Sequence, residues 1–205
     1  MHKPRQLRVA EQRKRLQKYL RTLRADYNRA WRELSAIFRI RKGCPLEHQL
    51  RHRRFEGTAE LLKLAEKCLE ELNHCYALRL AAFRPGDQLL VKTTICGFPP
   101  DPRRYLVLDV RWAKRDSYWY EVHELTKAGM LHKGRYPHML CPSSRVSIER
   151  CDEPLPEETR RQAEWARRAS VAFLETTLKK GDLAKFLLKS PAPSRAERPY
   201  PFWVR

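Results

Sequence analysis

Glycine is scarce in this chain: seven residues among 205, none grouped into the glycine-rich loop that wraps a phosphate. That removes the commonest nucleotide-hydrolysing motif. Asp and Glu number 24 and lie scattered, with no carboxylate cluster of the kind that holds the magnesium ions of a nuclease. The six cysteines (Cys44, Cys68, Cys75, Cys96, Cys141, Cys151) show neither C-x-x-C spacing nor a regular framework. No run approaches the roughly 18 apolar residues that cross a bilayer. The basic, acid-poor start MHKPRQLRVAEQRKRL lacks the apolar stretch of a secretory signal, and its helical periodicity continues far past a cleavable leader. Reduced thiols in a cytoplasmic setting are therefore the expectation. No cofactor motif is present, so no cofactor is expected.

What the chain has is positive charge. Lys and Arg total 43, the formal net charge is +19 and the isoelectric point about 10.1. Such an imbalance says something about partners rather than fold. It points first to nucleic acid, and next to an anionic membrane surface or an acidic protein. An apolar content of 42% is enough for a packed core. The charge is uneven: residues 1–57 hold 17 Lys/Arg against 5 Asp/Glu, whereas residues 58–82 hold 3 against 4.

Four regions follow. Residues 1–82 read as a basic helical hairpin or small bundle. Leu16, Leu20, Leu23, Tyr27, Ala30, Leu34 and Ile37 are spaced alternately four and three apart, a heptad seam. Gly43 and Pro45 break the run, and a short helix PLEHQLRHRRF is expected next. Gly57-Thr58 supplies a second break and a cap. The following helix carries Leu61, Ala65, Cys68, Leu72 and Cys75 at the same spacing. Matched seams with short connections predict antiparallel packing, the competing arrangement being an intermolecular coiled coil.

In residues 83–151 the period falls to two. The segment YLVLDVRW puts Leu106, Leu108, Val110 and Trp112 on one strand face, and in SYWYEVHEL Tyr118, Tyr120 and Val122 oppose Trp119 and His123. Residues 152–189 read as a helix ended by Gly181 plus a short second helix, and residues 190–205 as an extended Pro/aromatic tail. The fold class is thus α+β.

The middle region resembles the Src-homology-three-like small barrels, a group that includes Tudor and KOW modules. The resemblance rests on PGD at Pro85–Asp87, opening the first strand, and PSSRV at Pro142–Val146, just before the last. It covers about a third of the chain and implies a small closed β-barrel that binds through aromatics and loops on one side. The acidic loop of the peptide-binding branch is replaced by CGFPPDPRR, so proline-ligand binding is not carried over.

Candidate contacts come from charge and aromatics. On the heptad wheel Lys14, Lys18, Arg21 and Arg32 take the b and f positions, with Arg15 and Arg29 at c, making one basic face almost without acids. Arg51, Arg53 and Arg54 form a second cluster, and Arg111, Lys114 and Arg115 a third. Trp119 either packs against the helical regions or serves as a stacking platform beside that third cluster. Cys44, His48 and His52 sit four apart but fit no common zinc spacing, so no metal is expected; His138 and Cys141 are a weaker hint still. The tail segment RPYPFW reads either as a docking peptide for a partner or, through Phe202 and Trp203, as a segment that docks on its own chain.

Two functions compete. One is a non-enzymatic nucleic-acid-binding accessory protein, DNA or RNA, gripping phosphates through the basic helical face and the barrel. The other is an adaptor or assembly subunit whose barrel binds a protein and whose heptad helices form a homo-oligomer.

Overall fold

The computed structural model describes residues 5–39, 45–93, 102–113, 117–142 and 146–189. Its elements are α1 (Arg5–Arg39), α2 (Pro45–Leu80), β1 (Gln88–Thr93), β2 (Pro102–Trp112), β3 (Tyr118–Leu125), β4 (His138–Leu140), β5 (Val146–Arg150) and α3 (Glu157–Lys189). They divide into two units: Glu11–Leu69 with Lys179–Arg205, and Met1–Ala10 with Glu70–Leu178.

In the first unit α1 and α2 pack antiparallel. Arg24 reaches Glu66 while Arg54, earlier in α2, reaches Glu33, later in α1. The α1 seam is where the 4-3 spacing puts it: Leu16, Leu20, Leu23, Ala30 and Leu34 are all buried. Each such leucine contributes about 1.5–3 kcal/mol relative to exposure. Ile37 lies outside the residues whose side chains are described.

The expected break at Gly57-Thr58 is absent, and α2 runs through it unbroken. A mid-helix glycine costs only about 1 kcal/mol, which the good helix formers on either side outweigh. Thr58 Oγ1, no longer a cap, donates to the Arg54 carbonyl at 2.8 Å. The seam of α2 also differs from its spacing. Of the expected positions Ala65, Leu72 and Cys75 are buried, but Leu61 is 43% exposed, and Phe55, packed on Tyr27 and Trp31 of α1, lies on the seam side in the preceding turns. Similarly, α3 continues through Gly181 as one helix.

The second unit is built on a five-stranded antiparallel sheet in the order β4-β3-β2-β1-β5. Four strands follow one another as a meander, and β5 returns beside β1. The turn before β1 needs Gly86, whose φ of 88° suits glycine; a Cβ there would meet the Ala163 carbonyl oxygen at 2.4 Å. Gly129, at φ 78°, serves the turn after β3, where its N–H donates to the Thr126 carbonyl.

One core lies on the sheet face formed by Leu89, Val91, Tyr105, Val107, Val110, Tyr120 and Val122, with Ala77 and Leu78 from the end of α2 and Ala81 just after it. Phe173 and Leu174 of α3 pack against it. A smaller cluster joins Leu106 and Leu125 to Ala163, with Leu108, Leu131 and Leu155 alongside.

This arrangement corrects the simple alternation expected of β2. The pairing of β2 with β3 slips between Val107 and Asp109, a β-bulge. An extra residue moves every later side chain to the opposite face. Tyr105 and Val107 therefore join Val110 and Trp112 on the main core, while Leu106 and Leu108 face the smaller cluster.

Candidate nucleic-acid interface

The outer face of α1 follows from its helical register. With the seam turned to α2, positions b, c and f point to water. Lys14, Arg15, Lys18, Arg21, Arg29 and Arg32 are all exposed. From Lys14 to Arg32 the helix rises about 27 Å. No acidic residue stands in the first turn of α1.

Ion pairing sorts these cations. Arg15 lies 2.6 Å from Glu11, one turn earlier at an f position, so the face is not wholly acid-free. Arg29 lies 3.8 Å from Asp26, a loose contact. Among the described residues, Lys14, Lys18, Arg21 and Arg32 have no carboxylate at ion-pair distance. Exposed pairs such as Arg15–Glu11 contribute about 1 kcal/mol or less, so a polyanion can displace them at little cost.

The second cluster divides as well. Arg51 pairs with Glu47 and donates to the Glu33 carbonyl at 3.2 Å. Arg54 lies 3.0 Å from the Glu33 carboxylate. Both arginines thus tie α2 to α1. Arg53 points to solvent with no carboxylate partner among the described residues.

In the sheet unit, Arg111 stands directly across from Trp119. Its guanidinium is doubly compensated: 2.9 Å from Glu121 and 3.3 Å from Asp109. Asp109 in turn sits 2.8 Å from His74 Nε2, and the His74 ring lies against Phe173. Lys114 and Arg115 lie outside the described residues. So do Cys44 and the tail 190–205, and among the described residues no group of three His, Cys, Asp or Glu could hold a metal ion. His48 and His52 stack with ring centroids 6.3 Å apart, and His52 pairs with Glu56.

Trp119 is 43% exposed, on the side away from Tyr118 and Tyr120. His123 is half-buried, its Nε2 3.2 Å from the His132 carbonyl. The outward side of β3 is thus open at Trp119 and filled at His123. Burial is the chief cause that raises both the Tyr120 phenol and the Cys75 thiol above their ordinary pKa values. Both groups are accordingly neutral at physiological pH.

Three exposed aromatic or sulfur side chains escaped the reading by composition. Met139 stands opposite Glu121, on the same side as Trp119, and Tyr136 precedes it almost fully exposed. Trp165, on α3, is 64% exposed and one helical turn from both Arg161 and Arg168. The i, i+3/i+4 spacing of Trp165 and its arginines was the available signal.

No family model, curated protein or solved structure matches the chain. No helix among the described residues is long and apolar enough to cross a membrane.

Proposed function

We propose that this chain is a non-enzymatic nucleic-acid-binding accessory protein that holds the phosphate backbone on the outer face of α1. The observation that carries this reading is the run Lys14, Lys18, Arg21 and Arg32: exposed, on one side of one helix, and without carboxylates among the described residues. A rigid helix with that spacing offers a linear array of cations to a linear array of phosphates. Such contacts position the partner but do not read its bases. Binding should therefore be sequence-neutral and strongly salt-dependent, because each neutralised phosphate releases counterions.

The sheet is proposed to be a small barrel of the Src-homology-three-like group. A four-strand meander with the last strand beside the first leaves a single seam, β4 to β5, to be closed, and the bulge in β2 supplies curvature. In this reading Trp119 stacks on an unpaired base, an addition of roughly 1–3 kcal/mol.

Fluorescence anisotropy with labelled duplex and single-stranded DNA and RNA tests the proposal. Replacing Lys14, Lys18, Arg21 and Arg32 together by Gln should weaken binding by roughly a hundredfold at moderate salt. Helix content by circular dichroism should not change. Equal affinity for the wild type and the four-site variant contradicts the reading.

One observation favours the second reading, an adaptor that binds a protein. Asp109 and Glu121 neutralise Arg111, so the surface around Trp119 offers Trp119 and Met139 more than net charge. Exposed aromatic and Met side chains of this kind are enriched in protein interfaces. If Trp119→Ala removes a captured protein but leaves nucleic-acid affinity unchanged, the adaptor reading gains and the stacking role is lost.

A further inference from the structure

The seam of α2 accounts for only one of its two apolar lines. Leu46, Leu50, Leu61 and Leu64 are 63%, 57%, 43% and 41% exposed. At 100° per residue, these four and Gly57 fall within about 60° of one another. Their line is turned about a third of a turn from the side that packs on α1. Single exposed leucines are ordinary, whereas four along one helix make a patch that calls for a partner.

The arrangement of the line says which partner. Leu50 and Leu64 stand seven residues before and after Gly57, and a Cβ at Gly57 would meet nothing within 4 Å. Laid antiparallel on a second copy of itself with Gly57 at the two-fold axis, α2 puts Leu50 against the partner's Leu64 and Leu64 against the partner's Leu50. Gly57 lets the two backbones approach at the crossing.

Charge agrees with this register. Arg53 and Glu60 flank the line on one side, both exposed, and neither has an ion-pair partner among the described residues. Seven residues apart on one helix, they cannot reach each other. Across the two-fold axis Arg53 faces the partner's Glu60 within one residue's rise, twice by symmetry. We infer that the chain forms a homodimer through the α2–α2 face centred on Gly57. This interface is separate from the α1–α2 seam, whose leucines are buried within the chain. It does not depend on what α1 binds.

The test is sedimentation equilibrium of the nuclease-treated full chain. Wild type should show twice the 24.4 kDa chain mass, and Leu50→Gln with Leu64→Gln should return it to 24.4 kDa with unchanged helix content. Arg53→Glu alone and Glu60→Arg alone should each weaken the dimer by roughly tenfold, since two attractive pairs become repulsive. Mixing those two single variants should restore association, because every 53–60 pair in the heterodimer is again opposite in sign. A wild type that stays monomeric up to about 0.1 mM overturns the proposal. So does a dimer indifferent to the leucine changes. Loss on the leucine changes without rescue on mixing overturns the antiparallel register.

Discussion

Arg111 and Arg21 are both exposed arginines on regular elements, yet they present different things to a partner. On the strands of the sheet unit the cations have carboxylates beside them: Arg111 with Asp109 and Glu121, Arg103 with Glu124, Arg150 with Asp87, Lys92 with Glu149, and Arg135 before β4 shares Glu124. Its turns differ: Arg84, Lys127 and Lys133 are exposed with no carboxylate at ion-pair distance among the described residues. On the outer face of α1, Lys14, Lys18, Arg21 and Arg32 have no such counterpart among the described residues. A count of Lys and Arg treats the two regions alike. Pairing separates the strands from the helix: strand cations are matched to carboxylates, whereas these four cations of α1 are not.

The predictions aim at that contrast, and the largest effect is a control on the sheet. Tyr120 is buried in the main core, its hydroxyl accepting the Phe83 N–H at 3.3 Å. Tyr120→Ala should cost about 3–5 kcal/mol by chemical denaturation. If the sheet only supports the molecule, nucleic-acid affinity of the remaining folded fraction should stay level. Gly86→Ala should come next, at about 1–3 kcal/mol for the left-handed backbone alone and more for the contact with Ala163. The same denaturation experiment reads it, and a neutral result would contradict the turn geometry.

Giving α1 the sheet's pairing should have a smaller effect. Ala25 and Asn28 are exposed, one turn from Arg21, Arg29 and Arg32. Ala25→Glu with Asn28→Glu should lower affinity roughly tenfold at moderate salt. The new i, i+4 pairs should leave the helix as stable or slightly more so. The reverse change is smaller still. Glu121→Gln removes one of the two carboxylates on Arg111 and should strengthen nucleic-acid binding by only about twofold, since Asp109 remains. A large gain would mean that the sheet, rather than α1, dominates the contact.

How much of this was legible follows from the length scale of each feature. The α1 seam repeats over seven positions, so its register could be read, and the outer face followed from it. The bulge between Val107 and Asp109 is a single-residue slip, and nothing in YLVLDVRW marks it. Alternation alone therefore put Leu106 and Leu108 on the wrong face. Gly57 and Gly181 looked like breaks because glycine is a poor helix former. Their long helical surroundings outweigh one unfavourable residue. The two-residue spacing of Asp109 and Arg111 on one strand was a visible hint that this arginine would be compensated. The second carboxylate, Glu121, comes from the neighbouring strand and needs the sheet register to be known.

The most direct test of the central claim is the salt dependence of wild-type binding to a short duplex, plotted as log affinity against log salt. If the four uncompensated cations of α1 each neutralise a phosphate, the slope should lie near −3.6, about −0.9 per contact on B-form DNA. Absence of binding, or an affinity that does not change between low and high salt, contradicts the account.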